Sequence, residues 1–202
     1  YADRDRNPVL ILADGVIGTM MEPVVLPGMK SEEEVAALKA SKQGWACVGH
    51  KLDYAHRAWI QPGHWLTSDM QKANEDAAAL YESWKKDVQV EEYRLEDAEV
   101  VLTAYGISAR ICKSAVELLR AQGVKAGLIR PITVHPFAYD HIDYSKVKAV
   151  LDVEMSIPAQ FVDDVAVAVK DRCPIETCLC SGGNIMSRDK VLAAVKKIME
   201  GK

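Results

Sequence analysis

The stretch Glu99-Val-Val-Leu-Thr-Ala104-Tyr105-Gly106-Ile-Ser-Ala-Arg110 decides the fold. An apolar run stops at a Tyr-Gly turn and passes straight into a helix-patterned segment ending at Gln122-Gly123, which is how a strand–helix–strand unit opens. The same alternation predicts strands near 99–104, 124–129, 147–153 and 175–180, and helices near 107–122, 159–171 and 187–199. Runs such as Val100-Val101-Leu102 and Val150-Leu151-Asp152-Val153 are apolar almost throughout, as a sheet covered on both faces requires. The expected fold is therefore α/β, a three-layer parallel-sheet domain over 98–202 with right-handed crossovers. Ligands of such sheets meet the loops beyond the carboxyl ends of the strands. Between 129 and 146, Arg130-Pro131 and His135-Pro136 interrupt the chain too often for a full helix and allow at most a short turn near 141–145.

Upstream of that domain the pattern changes. Residues 8–14, Pro-Val-Leu-Ile-Leu-Ala-Asp, read as a fully buried parallel strand with no preceding partner, and Pro23 and Pro27 then stop regular structure. A chain that starts at Tyr1 with such a strand is expected to be the continuation of an upstream domain, with 1–27 as its tail. Residues 28–97 read as a helical extension. Ser31 and Glu34 have capping-box spacing, and a longer helix from about 68 to 86 carries Met70, Ala73, Ala77, Leu80, Tyr81 and Trp84 on one stripe. That stripe suits a partner surface or the chain's own core equally well. Residues 44–63 show no clear period.

Composition excludes several classes of function. The 202 residues are 49% hydrophobic and 27% charged, with 25 basic and 29 acidic side chains and a net charge of -4. No basic excess is present to attract nucleic acid or an anionic membrane. No apolar run approaches the ~20 residues that cross a bilayer, and the first 30 lack the layout of a secretion signal, so a cytoplasmic location is expected. The five cysteines, Cys47, Cys112, Cys173, Cys178 and Cys180, include no Cys-x-x-Cys pair, and His50, His56, His64, His135 and His141 have no metal-ligand spacing. Free thiols in a reducing cytosol are the expected state, with Cys178 and Cys180 on one face of a buried strand.

The residues that offer chemistry lie in the loops. Gly106 makes the turn after the first domain strand, and Arg110, just inside the following helix, either holds a phosphate or carboxylate or makes an ion pair. Arg130 before Pro131 pins its loop to another part of the protein or meets a ligand. Gly182 and Gly183, in Ser181-Gly-Gly-Asn184, open onto a helix but lack the glycine fingerprint of a nucleotide site, so a plain turn is the stronger reading.

Several of these motifs together resemble a known family. Asp14-Gly15-Val-Ile-Gly18 with Glu22-Pro23, Ala104-Tyr105-Gly106-Ile-Ser-Ala109-Arg110, Gly127-Leu-Ile-Arg130-Pro131-Ile-Thr before His135-Pro136-Phe137, and Val153-Glu154-Met155 leading to Gln160 and Asp164-Val165 look like the α subunit of 2-oxoacid:ferredoxin oxidoreductases, with the 2-oxoisovalerate type closest. The resemblance runs through nearly the whole chain in order. It implies that 1–27 close a thiamine-pyrimidine-binding domain and that 98–202 form a second domain similar to the C-terminal domain of transketolase. It further implies oxidative decarboxylation of a 2-oxoacid to acyl-CoA on thiamine diphosphate, with Mg²⁺ and iron–sulfur clusters passing electrons to ferredoxin in a complex of α, β, γ and δ subunits.

The resemblance also places Asp14 and Gly15 near the assembled active site, with a glycine-dependent turn as an alternative reason for Gly15. Ala138 stands where the family usually has proline, and Pro158-Ala159 where it has glycine, which leaves loop shape there open. The family's thiamine-engaging glutamate, diphosphate motif and cluster cysteines are not in this sequence. The chain is accordingly expected to bind no cofactor and catalyse nothing alone. A free-standing nucleotide- or CoA-binding module would use the same loops, and a purely structural assembly domain would bury them against partners.

Overall fold

The computed structural model describes residues 1–46, 66–140 and 143–201. The chain divides into two compact units, 1–20 with 81–202, and 21–80.

The larger unit is built on a five-stranded sheet: β1 (Val90–Tyr93), β2 (Val100–Thr103), β3 (Ala126–Pro131), β4 (Ala149–Glu154) and β5 (Ile175–Leu179), in spatial order β1-β3-β2-β4-β5. Strands β3, β2, β4 and β5 are parallel, in agreement with the apolar runs that predicted them. Strand β1 is antiparallel to β3, so the sheet is mixed rather than wholly parallel. Its sequence, Val-Glu-Glu-Tyr, is short and charged, as suits an edge strand, and it lies inside the stretch read as helical.

Helix α5 (Gly106–Ala121) joins β2 to β3, α6 (Val162–Val169) joins β4 to β5, and α7 (Arg188–Met199) follows β5. Alternation along the strands sorts their side chains between two cores. Val100, Leu102, Leu151 and Val153 pack with Cys112, Val116 and Leu119 of α5 and with Val191 and Val195 of α7. Val101 and Val150 pack on the other side with Phe161 and Val165 and with Phe137 and Tyr144 of the 132–148 connection. The three expected layers are present. Gly127 lies where β3 is closest to the chain before β2: an added Cβ would meet the Arg94 carbonyl oxygen and Leu95 Cδ2, both at 2.7 Å.

The first twenty residues hold two short helices, α1 (Ala2–Asp5) and α2 (Gly15–Thr19). The strand expected over 8–14 is not formed. Leu10, Ile11 and Leu12 are 83%, 93% and 78% exposed. A strand exists only where a neighbour takes its N–H and C=O groups, and none of the described residues does so here.

In the smaller unit, α3 (Glu32–Lys42) starts with the expected capping box. The Glu34 N–H donates to Ser31 Oγ at 3.2 Å, and the Ser31 N–H donates to Glu34 Oε2 at 2.7 Å. Helix α4 (Thr67–Ser83) buries no residue completely. Of its expected stripe, Ala73, Ala77, Leu80 and Trp84 are half-buried, whereas Met70 and Tyr81 are exposed. Most of 44–63, with Cys47, His50, His56 and Trp59, lies outside the described residues, as do His64 and His141.

Candidate functional site

The chain leaves β2 through α5 towards β3 on one side, then returns past β2 to β4, whose own helix α6 lies on the opposite face. The carboxyl ends of β2 and β4 therefore flank the point where the connections diverge. A crevice for ligands forms at such a point in open α/β sheets. Two carboxylates from outside the helices reach the helix starts here.

The first is Asp14. Its Oδ1 accepts the Ile17 N–H at 2.8 Å and caps α2, while its Oδ2 accepts the Ile107 N–H of α5 at 2.8 Å, across 93 positions of sequence. Tyr105, the residue preceding α5, supplies no side-chain cap of its own. Gly106 makes this approach possible. Its φ is +56°, and an added Cβ would lie 2.4 Å from Asp14 Oδ2. The anion position at this helix start, where a phosphate would gain most, is thus filled by the protein itself.

The second is Glu154, at the end of β4 and 1% exposed. Its carboxylate accepts the Gln160 N–H on both oxygens and the Val162 N–H on Oε1, all at 3.1 Å, and so holds the loop before α6 and the first residue of that helix. Two residues earlier on the same strand face lies Asp152, fully buried, whose Oδ1 accepts the Thr103 hydroxyl at 3.2 Å. Burial and then the adjoining Glu154 push the Asp152 carboxyl up to about 8. The Tyr105 ring stacks edge-on against Phe161 at 5.4 Å, and burial followed by the two acids raises its phenol.

The other expected site residues fall elsewhere. Arg110 is exposed on α5, its Nη1 4.0 Å from Met20 Sδ. It borders a shallow cavity of about 420 Å³ with Ile107, Ser114, Arg188 and Asp189, in which Arg188 donates to Ser114 Oγ at 3.4 Å. Arg130 pairs at 2.9 Å with Glu91, directly opposite on β1, and Glu91 also engages Lys113. Gly182 and Gly183, at φ +68° and +83° with open space around them, form a turn closed by Asn184 Nδ2 donating to the Ser181 carbonyl at 2.8 Å. Gly15 has no positive φ and is simply the first residue of α2, which removes the reading of a glycine-dependent turn.

A larger cavity of about 530 Å³ is walled by Leu10, Leu12, Trp84, Val134 and His135. The polar groups at its edge are bonded to one another: Arg4 to Asp5 and Asp87 at 2.6 Å, and Trp84 Nε1 to Asp5 at 2.9 Å.

Among the described residues no three His, Cys, Asp or Glu side chains converge as metal ligands. Cys178 and Cys180 do share one buried face, with Cys178 against Met186 Sδ and Cys180 donating to the Asn184 carbonyl. Burial raises the Cys112 and Cys178 thiols, as a core environment does.

Sequence reasoning missed the Asp152–Glu154 pair as a site feature. Its signal was present, two acids at alternate positions of an otherwise apolar buried strand.

Residues 98–191 match the family model of the pyruvate:ferredoxin oxidoreductase core domain II. Ketoisovalerate oxidoreductase subunit VorB of Methanothermobacter marburgensis is 36% identical over 98% of this chain and 54% of its own. The 2-oxoglutarate synthase subunit KorA of Methanocaldococcus jannaschii is 29% identical over 78% of this chain and 47% of its own. The chain spans about half the length of the curated relatives it matches. Among solved structures, 2-oxoglutarate:ferredoxin oxidoreductase from Magnetococcus marinus shares the fold with a TM-score of 0.57 at 17% identity, over 66% of this chain and 24% of that one. With 36% identity to such a relative over 98% of this chain, and with the domain match falling on the sheet and its switch point, the chain belongs to the 2-oxoacid:ferredoxin oxidoreductase family.

Proposed function

We propose that this chain serves within the α subunit of a thiamine-diphosphate-dependent 2-oxoacid:ferredoxin oxidoreductase that converts a 2-oxoacid such as 2-oxoisovalerate to acyl-CoA and passes the electrons to ferredoxin. The observation that carries this reading is the 36% identity with a ketoisovalerate oxidoreductase subunit over 98% of the chain. The chain's own part is assembly. It presents the switch-point face, with Asp14 and Gly106 fixing the start of α5, to the β, γ and δ subunits in the cytoplasm. Arg110, exposed beside that helix start, is the side chain proposed to meet a partner subunit or CoA. Thiamine diphosphate, Mg²⁺ and the clusters of the whole enzyme supply the decarboxylation and electron transfer. A self-contained nucleotide-binding module is less well supported, because the Asp14 carboxylate fills the phosphate position on α5.

The test is reconstitution of the complete α subunit that contains this chain with its partner subunits. The complex is expected to reduce ferredoxin with 2-oxoisovalerate and CoA faster than with pyruvate or 2-oxoglutarate. Arg110→Ala should lower that turnover, or the affinity for CoA or subunits, about tenfold, the scale of one charge-assisted bond. An assembled complex with no 2-oxoacid-dependent reduction overturns the reading.

A further inference from the structure

Both carboxyl groups of the Asp152–Glu154 pair lie in the core, and no lysine or arginine pairs with either among the described residues. Glu154 is committed as an acceptor to the N–H groups of Gln160 and Val162. Asp152 accepts from Thr103 through Oδ1, but its buried Oδ2 meets no donor. The group it adjoins is the Glu154 carboxylate. Two buried carboxylates on one strand face repel unless one of them carries a proton, and the oxygen that lacks a donor is the one to carry it.

We propose that a proton shared between Asp152 and Glu154 latches the switch-point loop of this chain. While it is in place, Glu154 is free to hold the backbone of Gln160 and Val162. When it passes to solvent, two like charges face each other in the core, and the 155–161 loop and the start of α6 are released to let them separate.

The surroundings all favour loss of the grip once the proton is gone. From the β2 side come the neutral Thr103 hydroxyl and the Tyr105 phenol, raised by burial and then by the pair. Thr177 lies opposite Asp152 on β5, and the Cys178 and Cys112 thiols lie across the sheet on its other face. Helix α6 brings apolar Phe161 and Val165, and its first turn holds Asp163 and Asp164, the latter bonded to the Tyr139 hydroxyl. Helix α7 brings the Lys190 ammonium, which is bonded to the Leu179 carbonyl and, among the described residues, pairs with neither acid. Burial and then the neighbouring Glu154 raise the Asp152 carboxyl well above the ordinary carboxylate range, which sets the direction in which the latch opens. A folded-state value raised above that of the unfolded chain gives stability that is complete at low pH and lost as pH rises through the folded value. This loop therefore tightens in mild acid and loosens in mild base.

Amide exchange on the 202-residue chain tests the latch without any enzyme activity. Protection of the Gln160 and Val162 N–H groups, corrected for intrinsic exchange, should fall about tenfold between pH 6 and pH 9. Ile107, capped by Asp14, should keep its protection. Asp152→Asn, which mimics the protonated acid, should abolish the fall. Equal protection at both pH values, a parallel fall at Ile107, or an unchanged fall in D152N overturns the proposal. Should D152N fail to fold, the carboxyl carbon resonance of Asp152 in the parent chain decides. A midpoint above the ordinary carboxylate range supports the latch, and one within that range overturns it.

Discussion

Helices α3 and α5 solve the same problem by opposite means. Each begins with N–H groups that have no partner inside the helix. In α3 the answer is local: Ser31 and Glu34 bond each other's backbone, and the helix buries no residue. In α5 the residue at the cap position contributes nothing, and the N–H of Ile107 is taken by Asp14 from a distant part of the chain. Helix α6 is intermediate, capped by Glu154 from the strand just before it. A local cap is a property of four residues and acts wherever they are placed. A distant cap is a tertiary contact, so it ties two segments together and fails with either of them.

The comparison is best broken at Gly106. Gly106→Ala combines a left-handed backbone, ~1–2 kcal/mol for a residue with a Cβ, with displacement of the Asp14 carboxylate, and should lower the stability of the chain in urea by about 3 kcal/mol. Asp14→Ala removes two helix caps at once and should cost about 2 kcal/mol, at roughly 1 kcal/mol each. The double variant sharpens the point. Without the carboxylate the new methyl meets no clash, so the two effects should fall short of additivity by about 1 kcal/mol. Strict additivity would mean that Asp14 and Gly106 act independently.

Ser31→Ala should cost α3 about 1 kcal/mol of local helix stability, read as faster amide exchange in its first turn, with the urea midpoint of the sheet unit unchanged. Smallest of all should be Lys72→Ala. It breaks an exposed i,i+4 pair with Asp76 at 3.1 Å on α4 and should shift stability by less than ~0.5 kcal/mol.

What was legible in advance follows the same division. The four parallel strands and three helices of the sheet unit stood out because burial on both faces demands continuous apolar runs and helical packing demands a stripe. Strand β1 did not stand out, because an edge exposed to water carries charges that look like a loop. The run at 8–14 carried the same apolar signal as β4 and yet forms no strand, since hydrophobicity records a need for cover and not the neighbour that supplies it. Arg130 offered a charge in a loop, and only the register of β1 against β3 shows that Glu91 answers it.

By itself the sequence determined the order of the four parallel strands and three helices of the sheet unit, the local cap of α3, the turn at Gly182-Gly183 and the family resemblance, all of which rest on neighbours within a few residues or on the order of motifs. Only the tertiary structure decided that Asp14 closes the start of α5, that Gly106 must lack a side chain to admit it, and that Asp152 and Glu154 share one buried face of β4. Those contacts depend on distance in space, where a carboxylate and an N–H group far apart in the chain meet at 2.8 Å because the sheet between them has already been built.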